Sequence, residues 1–248
     1  MNFNFTRKEI NGHFINYYED SHIILGFTEK DFKPEDLTTL FNNYRLTELK
    51  QIHSEIIHLS SRIETMKIPE KEPTMKGDGI ILDEKRTMAV IKTADCTPLF
   101  FRDSNYTIGG VVHIGWQGLL KGIEAELINL LEKRLLSPQD LHIFLGPAIE
   151  KNCYEVGQDL YDKFGIKEYR DKIFFQKTGQ KTGKKPLKYL MDVQAGISLS
   201  LEKLRIPVQR IDKSSLCTYC ETERLPSYRR DKGNGDNDGR IYSFLALK

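Results

Sequence analysis

Short apolar runs between polar turn residues are the main pattern along this chain, and they predict β-strands. Runs of four to eight apolar or β-branched residues with turn residues at both ends are typical of strands. The predicted strands are residues 13–18, 22–27, 79–82, 88–91, 98–101, 108–112, 141–147 and 206–211, with a further strand beginning near residue 53.

Other segments carry apolar residues at a period near 3.6, which predicts amphipathic helices. These segments are residues 34–50, 118–135, 155–164 and 192–204. Residues 177–188 and 233–239 lack apolar periodicity, and we expect an exposed loop and a flexible turn there. Helices inserted among many short strands favour an α+β fold, with mixed sheets flanked by helices in a single layered domain over residues 1–248.

Composition narrows the class of protein. The chain has 248 residues, a formal net charge of +2 and four cysteines. A charge this close to neutral gives no reason to expect nucleic acid as a partner. No apolar run approaches the roughly 20 residues that span a bilayer, and the N-terminus lacks the apolar core of a signal peptide. We therefore expect a cytoplasmic protein with reduced thiols and no membrane partner.

Three side chains in separate motifs suggest a metal centre. Cys96 lies in Thr-Ala-Asp-Cys-Thr-Pro, His113 opens His-Ile-Gly-Trp-Gln-Gly, and His53 ends Gln-Ile-His. Two imidazoles and one thiolate suit zinc, and three protein ligands leave a fourth position for water or substrate. Spacing alone leaves two alternatives open: ordinary buried residues, or a Cys96 nucleophile with His113 as its base.

Two further motifs could bind an anion. Gly115 and Gly118 join the strand of His113 to a predicted helix, where backbone N–H groups can hold phosphate. Arg229 and Arg230 could clamp phosphate near the C-terminus, although a solvated basic surface explains them equally well.

The Cys-x-x-Cys motif of Cys217 and Cys220 resembles half of a zinc ribbon. The second thiol pair of such a ribbon is missing, and the motif precedes a polar loop rather than a helix. We expect these two cysteines to be reduced and to bind no metal.

Taken together, the motifs resemble the laccase-domain family, also called multicopper polyphenol oxidase-like. Members of this family are also known as purine nucleoside phosphorylases and peptidoglycan editing factors. The resemblance covers about residues 50–240, through residues 51–53, 77–79, 93–98, 113–118, 146–149, 153–157, 217–218 and 227–230.

The resemblance implies zinc on His53, Cys96 and His113. It also implies phosphorolysis of adenosine, inosine or methylthioadenosine, and deamination of adenosine, on a fold shared with a bacterial toxin deamidase. The partners would be a purine nucleoside and phosphate. Deamination needs a carboxylate that carries protons, and the candidates are Asp78, Asp95 and Glu155.

The chain departs from the family pattern at several positions. Gln117 stands where the family usually has Arg, and residues 28–32 replace a Gly-Gly-Val-Ser-type loop. The expected Asn falls near Ile197 and is absent, and Leu225-Pro226 replaces an aromatic pair. These positions surround the ligands, so metal binding is predicted more firmly than the substrate.

Other functions remain as alternatives. A multicopper oxidase mechanism is rejected because six histidines without a His-x-His pair cannot supply its imidazole-rich copper centres. A Cys-His hydrolase or amidase that edits peptidoglycan precursors and a non-catalytic zinc-binding protein both stay open. The sequence does not predict the oligomeric state.

Overall fold

Three β-sheets with α-helices packed against them form the described part of the chain. The structure is a computed structural model that describes residues 4–64, 73–177, 187–232 and 239–248. None of the helices in these ranges is long and apolar enough to cross a membrane. The helices described are α1 (Pro34–Leu40), α2 (Trp116–Lys121), α3 (Ile123–Glu132), α4 (Gln158–Lys163), α5 (Arg170–Ile173), α6 (Val193–Lys203) and α7 (Tyr228–Asp231).

Two sheets have six strands each, and a third has three. In spatial order the first sheet contains β1 (Thr6–Ile10), β2 (His13–Glu19), β3 (Ile23–Thr28), β15 (Ile241–Leu247), β7 (Thr87–Thr93) and β4 (Arg45–Glu48). The second contains β14 (Ile211–Lys213), β10 (Leu141–Leu145), β8 (Thr97–Asp103), β9 (Gly109–Ile114), β6 (Gly79–Leu82) and β5 (Ile57–Leu59). The third contains β11 (Glu155–Gly157), β13 (Lys188–Met191) and β12 (Phe174–Gln176).

Both large sheets are mixed. The pairs β4–β7, β5–β6 and β10–β14 are parallel, and the other paired strands run antiparallel. The α+β class with mixed sheets and flanking helices, predicted from the sequence, is therefore confirmed.

The large sheets pack face to face between layers of helices. Residues of β3 and β7 in the first sheet contact residues of β6 and β9 in the second in one apolar cluster. The other face of the second sheet packs on α2, α3 and α6, and the other face of the first sheet packs on α1. Since both faces are covered, strands such as β6 are apolar at every position, which is why they appear as unbroken runs in the sequence.

Three predicted elements have different bounds in the structure. The helix predicted over residues 34–50 ends at Leu40, and the chain then forms β4, because residues 45–48 pair with the buried strand β7. The helix predicted over residues 155–164 begins only at Gln158, since the three residues before it pair with β13. The strand predicted over residues 206–211 begins only at Ile211, after a 3-10 turn at Val208–Arg210.

The five-turn helix predicted over residues 118–135 is two helices, α2 and α3. Gly122 separates them with a φ of +84°, a left-handed conformation that glycine adopts without steric cost. The predicted loop at 177–188 and the turn at 233–239 lie mostly outside the described residues.

Gly110 lets two strands of the second sheet approach closely. A Cβ atom at this position would lie 2.1 Å from the carbonyl oxygen of Ile80 and 2.7 Å from the ring of Phe101. We expect Gly110→Ala to lower the free energy of unfolding by about 1–3 kcal/mol, because the backbone of β6 would have to shift. Urea unfolding measures this change.

Gly165 offers the matched control for this substitution. A Cβ atom there would come no closer than 3.5 Å to the Arg170 side chain, so Gly165→Ala should change stability by less than about 0.5 kcal/mol. Equal unfolding midpoints for the two variants would show that β6 and β9 have more room than the structure indicates.

Candidate metal centre

The three predicted ligands converge at one edge of the molecule. His53 lies in the loop after β4, Cys96 in the turn between β7 and β8, and His113 near the end of β9. Their ligand atoms all lie within 4.8 Å of one another, and Cys96 Sγ is 4.0 Å from His53 Nε2. The two imidazole rings are 4.8 Å apart at an angle of 75°. Three borderline-soft donors this close together fit a single metal ion.

The Asp78 side chain positions two of these ligands, His53 and His113. Its carboxylate is fully buried and accepts hydrogen bonds from the backbone N–H of His53 (3.0 Å) and of Ser54 (2.6 Å). It also accepts the Nδ1–H of His113 at 2.9 Å. This bond fixes the tautomer of His113 and leaves Nε2 available to a metal, as in many carboxylate–histidine–metal arrangements.

The same hydrogen bonds keep Asp78 ionised. Burial by itself would raise the pKa of this carboxyl, but donors from His113 and Ser54 lower it to about 2. Asp78 is therefore a negative charge beside His113 throughout the neutral range.

Cys96 and His113 influence each other's ionisation. Burial opposes charge on both groups, yet their mutual attraction lowers the pKa of the Cys96 thiol and raises the pKa of the His113 imidazole. The thiolate is thus favoured at neutral pH, and a thiolate is the form that binds metals and the form that attacks carbonyls.

Two residues at the centre have left-handed backbone conformations: the predicted ligand His53, and Asp95, which precedes the predicted ligand Cys96. His53 has a φ of 56° and Asp95 a φ of 86°, which side-chain-bearing residues rarely adopt. The His53 peptide is held by Asp78 on its N–H side and by the Lys121 ammonium, which donates to the His53 carbonyl at 2.7 Å. Backbone strain of this kind is typical of functional sites.

Gln51, the first residue of the Gln-Ile-His motif, anchors the loop that carries His53. Its side-chain amide donates to the carbonyl of Lys92 and accepts from the N–H of Lys92, both at 2.7 Å. This pair of bonds ties the loop of His53 to β7, the strand that leads to Cys96.

The centre lies between two clefts. The wide cleft has a volume of about 620 Å³, and the smaller one, which we call the aromatic cleft, has a volume of about 270 Å³. His53, Cys96 and Gln117 line both. A ligand in either cleft would therefore lie beside the predicted metal ligands.

The aromatic cleft combines ring faces with positive charge. Trp116, Tyr154 and Tyr228 line it together with Arg229 and Lys232. The Arg229 guanidinium lies 4.9 Å from the centroid of the Tyr154 ring and donates to the Glu155 carbonyl at 2.6 Å. Burial, with the negative charge of Cys96, raises the pKa of Tyr154 to about 12, so its hydroxyl is a neutral donor.

The wide cleft is lined by more charged groups. Lys50, Lys92, Glu48 and Arg240 face it, and Lys92 pairs with the buried Glu48 carboxylate. These groups suit a polar or anionic ligand rather than an apolar one.

The predicted proton carriers are all engaged in contacts. Asp78 is bonded as described, and Asp95 accepts from Thr218 Oγ1 and from the Arg229 N–H, both at 2.6 Å. Glu155 lines neither cleft and pairs with Lys177 and Lys188.

The predicted anion-binding residues separate into two groups. Gly115 and Arg229 line the aromatic cleft. At Gly115 a Cβ atom would lie 2.7 Å from Cys96 Sγ, so only glycine leaves this approach open. Gly118 and Arg230 line neither cleft, and Arg230 donates instead to the carbonyls of Thr218, Tyr219 and Leu225.

Sequence reasoning gave no role to several residues that line the clefts. Trp116 and Tyr154 lie inside two motifs of the family resemblance, residues 113–118 and 153–157, but no spacing rule shows which way an aromatic ring points. Glu48, Lys92 and Lys232 carried no signal, because single charged residues are common on any surface.

Metal-capable side chains gather in two places among the described residues. Within the described residues, three or more metal-capable side chains gather at this triad and in one group of three cysteines, Cys153, Cys217 and Cys220. The first group has two imidazoles and one thiol, and the second has three thiols.

Several known proteins with similar sequences are named purine nucleoside phosphorylase. The chain is 31% identical over 172 residues to the purine nucleoside phosphorylase YlmD of Bacillus subtilis, a match covering 69% of this chain and 59% of that protein. The match therefore spans less than two thirds of the Bacillus subtilis protein. A purine nucleoside phosphorylase of Clostridium acetobutylicum is 28% identical over 215 residues, covering 86% of this chain and 81% of that protein.

Solved structures establish the fold. A Bacillus licheniformis protein named YfiH superimposes with a TM-score of 0.77 at 23% identity, covering 94% of this chain and 96% of that one. YlmD of Geobacillus stearothermophilus gives 0.76 at 20% identity, covering 98% of each chain. Residues 35–248 also match one family throughout. The chain belongs to that laccase-domain family, described as multi-copper polyphenol oxidoreductase laccase.

Proposed function

We propose that the chain is a zinc-dependent purine nucleoside phosphorylase. The observation that carries this proposal is a His-Cys-His centre at the junction of an aromatic and a charged cleft. The names of the relatives supply the reaction class. The reaction would transfer the ribosyl group from a purine base to inorganic phosphate.

Zinc fits the donor set better than a hard cation would. Thiolate and imidazole are ligands of zinc, whereas magnesium and calcium prefer oxygen donors. His53, Cys96 and His113 would hold the ion, with Asp78 orienting His113. Zinc bound there supplies a positive charge and Lewis acidity next to both clefts.

In this proposal the purine ring occupies the aromatic cleft. The aromatic side chains of Trp116, Tyr154 and Tyr228 suit a flat heteroaromatic ring. Phosphorolysis forms a bond between phosphate and C1′ and breaks the bond from C1′ to the base, which leaves with the electron pair. The neutral Tyr154 hydroxyl and the Arg229 guanidinium are donors that stabilise negative charge on the departing purine.

Phosphate occupies the wide cleft in the same proposal. Lys50 and Arg240 contribute positive charge there, and Gln117 reaches it from the start of α2. The helix that follows Gly115 is the six-residue α2 rather than the long helix predicted from the sequence. Gly115 contributes because, without a side chain, it leaves room for a ligand to approach Cys96.

Deamination of adenosine stays a prediction. It needs a carboxylate that takes up and delivers protons, and Asp78, Asp95 and Glu155 are each bonded to other groups. We assign Asp78 and Asp95 to positioning the ligands instead.

One observation favours a second candidate function. The Asp78 carboxylate orients the His113 imidazole, and this imidazole lies beside the Cys96 thiolate. A Cys-His hydrolase has the same spatial arrangement of carboxylate, imidazole and thiolate. Metal content separates the two candidates, because such a hydrolase works without metal.

Cys96→Ala tests the centre directly. Removal of the thiolate should abolish zinc binding at this centre in protein purified without a histidine tag, since affinity depends on each direct ligand. Elemental analysis of wild type and variant measures this, alongside base release from adenosine, inosine and methylthioadenosine with and without phosphate. Equal zinc content in wild type and Cys96→Ala, together with inactivation of the wild type by thiol alkylation, would instead support the hydrolase.

Asp78→Asn tests whether the orientation of the ligands matters for zinc binding, because all three ligands are still present in this variant. The amide keeps the shape but loses the charge that holds His113, so zinc affinity should fall about 10- to 100-fold. A zinc-chelator competition measures the affinity.

Asp103→Asn is the control for this change. Asp103 is equally buried and accepts from the N–H groups of Thr107 and Ile108, away from the centre. Both variants should lose stability, but only Asp78→Asn should lose zinc affinity. Equal affinities would mean that Asp78 serves folding alone.

Gln117→Arg should strengthen phosphate binding. A planar guanidinium in place of a neutral amide adds a charge-assisted bond, which we expect to lower the KM for phosphate about tenfold. Gln117→Met keeps the length without a donor and should not lower it. Steady-state phosphorolysis at varied phosphate concentration measures both, and an unchanged KM in Gln117→Arg would show that residue 117 does not face phosphate.

A further inference from the structure

A second group of thiols lies apart from the His-Cys-His centre. The sulfur atoms of Cys153, Cys217 and Cys220 all lie within 4.8 Å of one another. Cys153 Sγ and Cys220 Sγ are 3.4 Å apart although the residues are separated by 67 positions in sequence. The expectation of no metal at Cys217 and Cys220 assumed that no further thiol was near, and Cys153 removes that assumption.

The two segments that carry these thiols are firmly joined. Ala148 forms a parallel β-bridge with Cys217, and the Thr218 N–H donates to the Ala148 carbonyl at 3.0 Å. Cys153 ends the 3-10 turn that follows, at Lys151–Cys153. Backbone contacts thus hold the two segments beside each other.

The members of the group differ in their surroundings. The backbone N–H of Glu150 donates to Cys217 Sγ at 3.4 Å. Cys217 is buried, whereas Cys220 is exposed and gives an ion access from solvent.

We propose that Cys153, Cys217 and Cys220 form a second metal site, which binds a thiophilic ion, with zinc as the expected one. Three thiolates provide soft donors that zinc accepts, and solvent at Cys220 completes a four-coordinate shell. The site differs from the first centre in having only sulfur ligands. Binding joins the segment after β10 to the Cys-x-x-Cys turn.

A metal ion at this second site would stabilise the wall of the aromatic cleft. Tyr154 follows Cys153 directly, and Thr218 lies inside the Cys-x-x-Cys turn and donates to Asp95. Arg230 of α7 donates to the carbonyls of Thr218 and Tyr219, and its neighbour Arg229 lines the cleft. An ion at the three thiols therefore stabilises the segments that carry Tyr154 and Arg229.

Metal stoichiometry tests this site. We expect untagged protein, purified with a thiol reductant and excess zinc removed, to hold about two zinc ions per chain. Cys220→Ser should hold about one, Cys96→Ala should also hold about one, and the double variant should hold none. Cys220 is exposed, so its change to Ser should leave the fold and the first centre intact, as zinc retention and thermal unfolding will show.

Cobalt(II) substitution gives a second reading that is independent of activity. Sulfur-to-cobalt charge-transfer absorption should fall more in Cys220→Ser than in Cys96→Ala, because the second site has three thiolates and the first has one. Equal zinc content in wild type and Cys220→Ser would overturn the proposal. So would a Cys153–Cys220 disulfide in protein isolated under reducing conditions, since the two sulfurs would then be unable to bind metal.

Discussion

The buried carboxylate of Asp78 is the interaction on which the metal centre depends. A carboxylate with no exposure to water is very costly unless hydrogen bonds compensate for its charge. Its donors are the N–H groups of the His53 loop, the Ser54 hydroxyl and the His113 ring. Because the same groups build the centre, the loop cannot form its left-handed turn, nor the ring take its orientation, without satisfying this charge. Folding and ligand geometry are therefore coupled through one side chain.

The layered fold explains why a charge can be buried there. Asp78 stands immediately before β6, and its carbonyl accepts the His113 N–H at 2.7 Å where β6 pairs with β9. His53 and Cys96 come from loops, and His113 comes from the end of β9. The sheets and helices behind them supply apolar cover on both sides. The centre is thus rigid on its inner side and open to two clefts on its outer side.

Sequence patterns predicted the strands well because buried strands leave continuous apolar runs. They predicted helix bounds less well, since periodicity over residues 118–135 contains no sign of the reversal at Gly122. The candidate metal ligands were predicted through motifs, and spacing alone was insufficient because each of them comes from a different segment of the chain. The contact between Cys153 and Cys220 could not be predicted, because it depends on how two distant segments pair. Orientation of Tyr154 depends on the same pairing.

Asp95 connects the predicted zinc ligand Cys96 to the cysteine group, and this link explains its place in the motif. Both carboxylate oxygens accept short hydrogen bonds, one from Thr218 and one from the N–H of Arg229, and its carbonyl accepts the N–H of Ile149. These contacts hold a left-handed backbone that would otherwise be strained. We infer that an aspartate precedes the cysteine because a short acceptor there fixes three segments at once. The position of Cys96 and the shape of the aromatic cleft then follow from the same side chain.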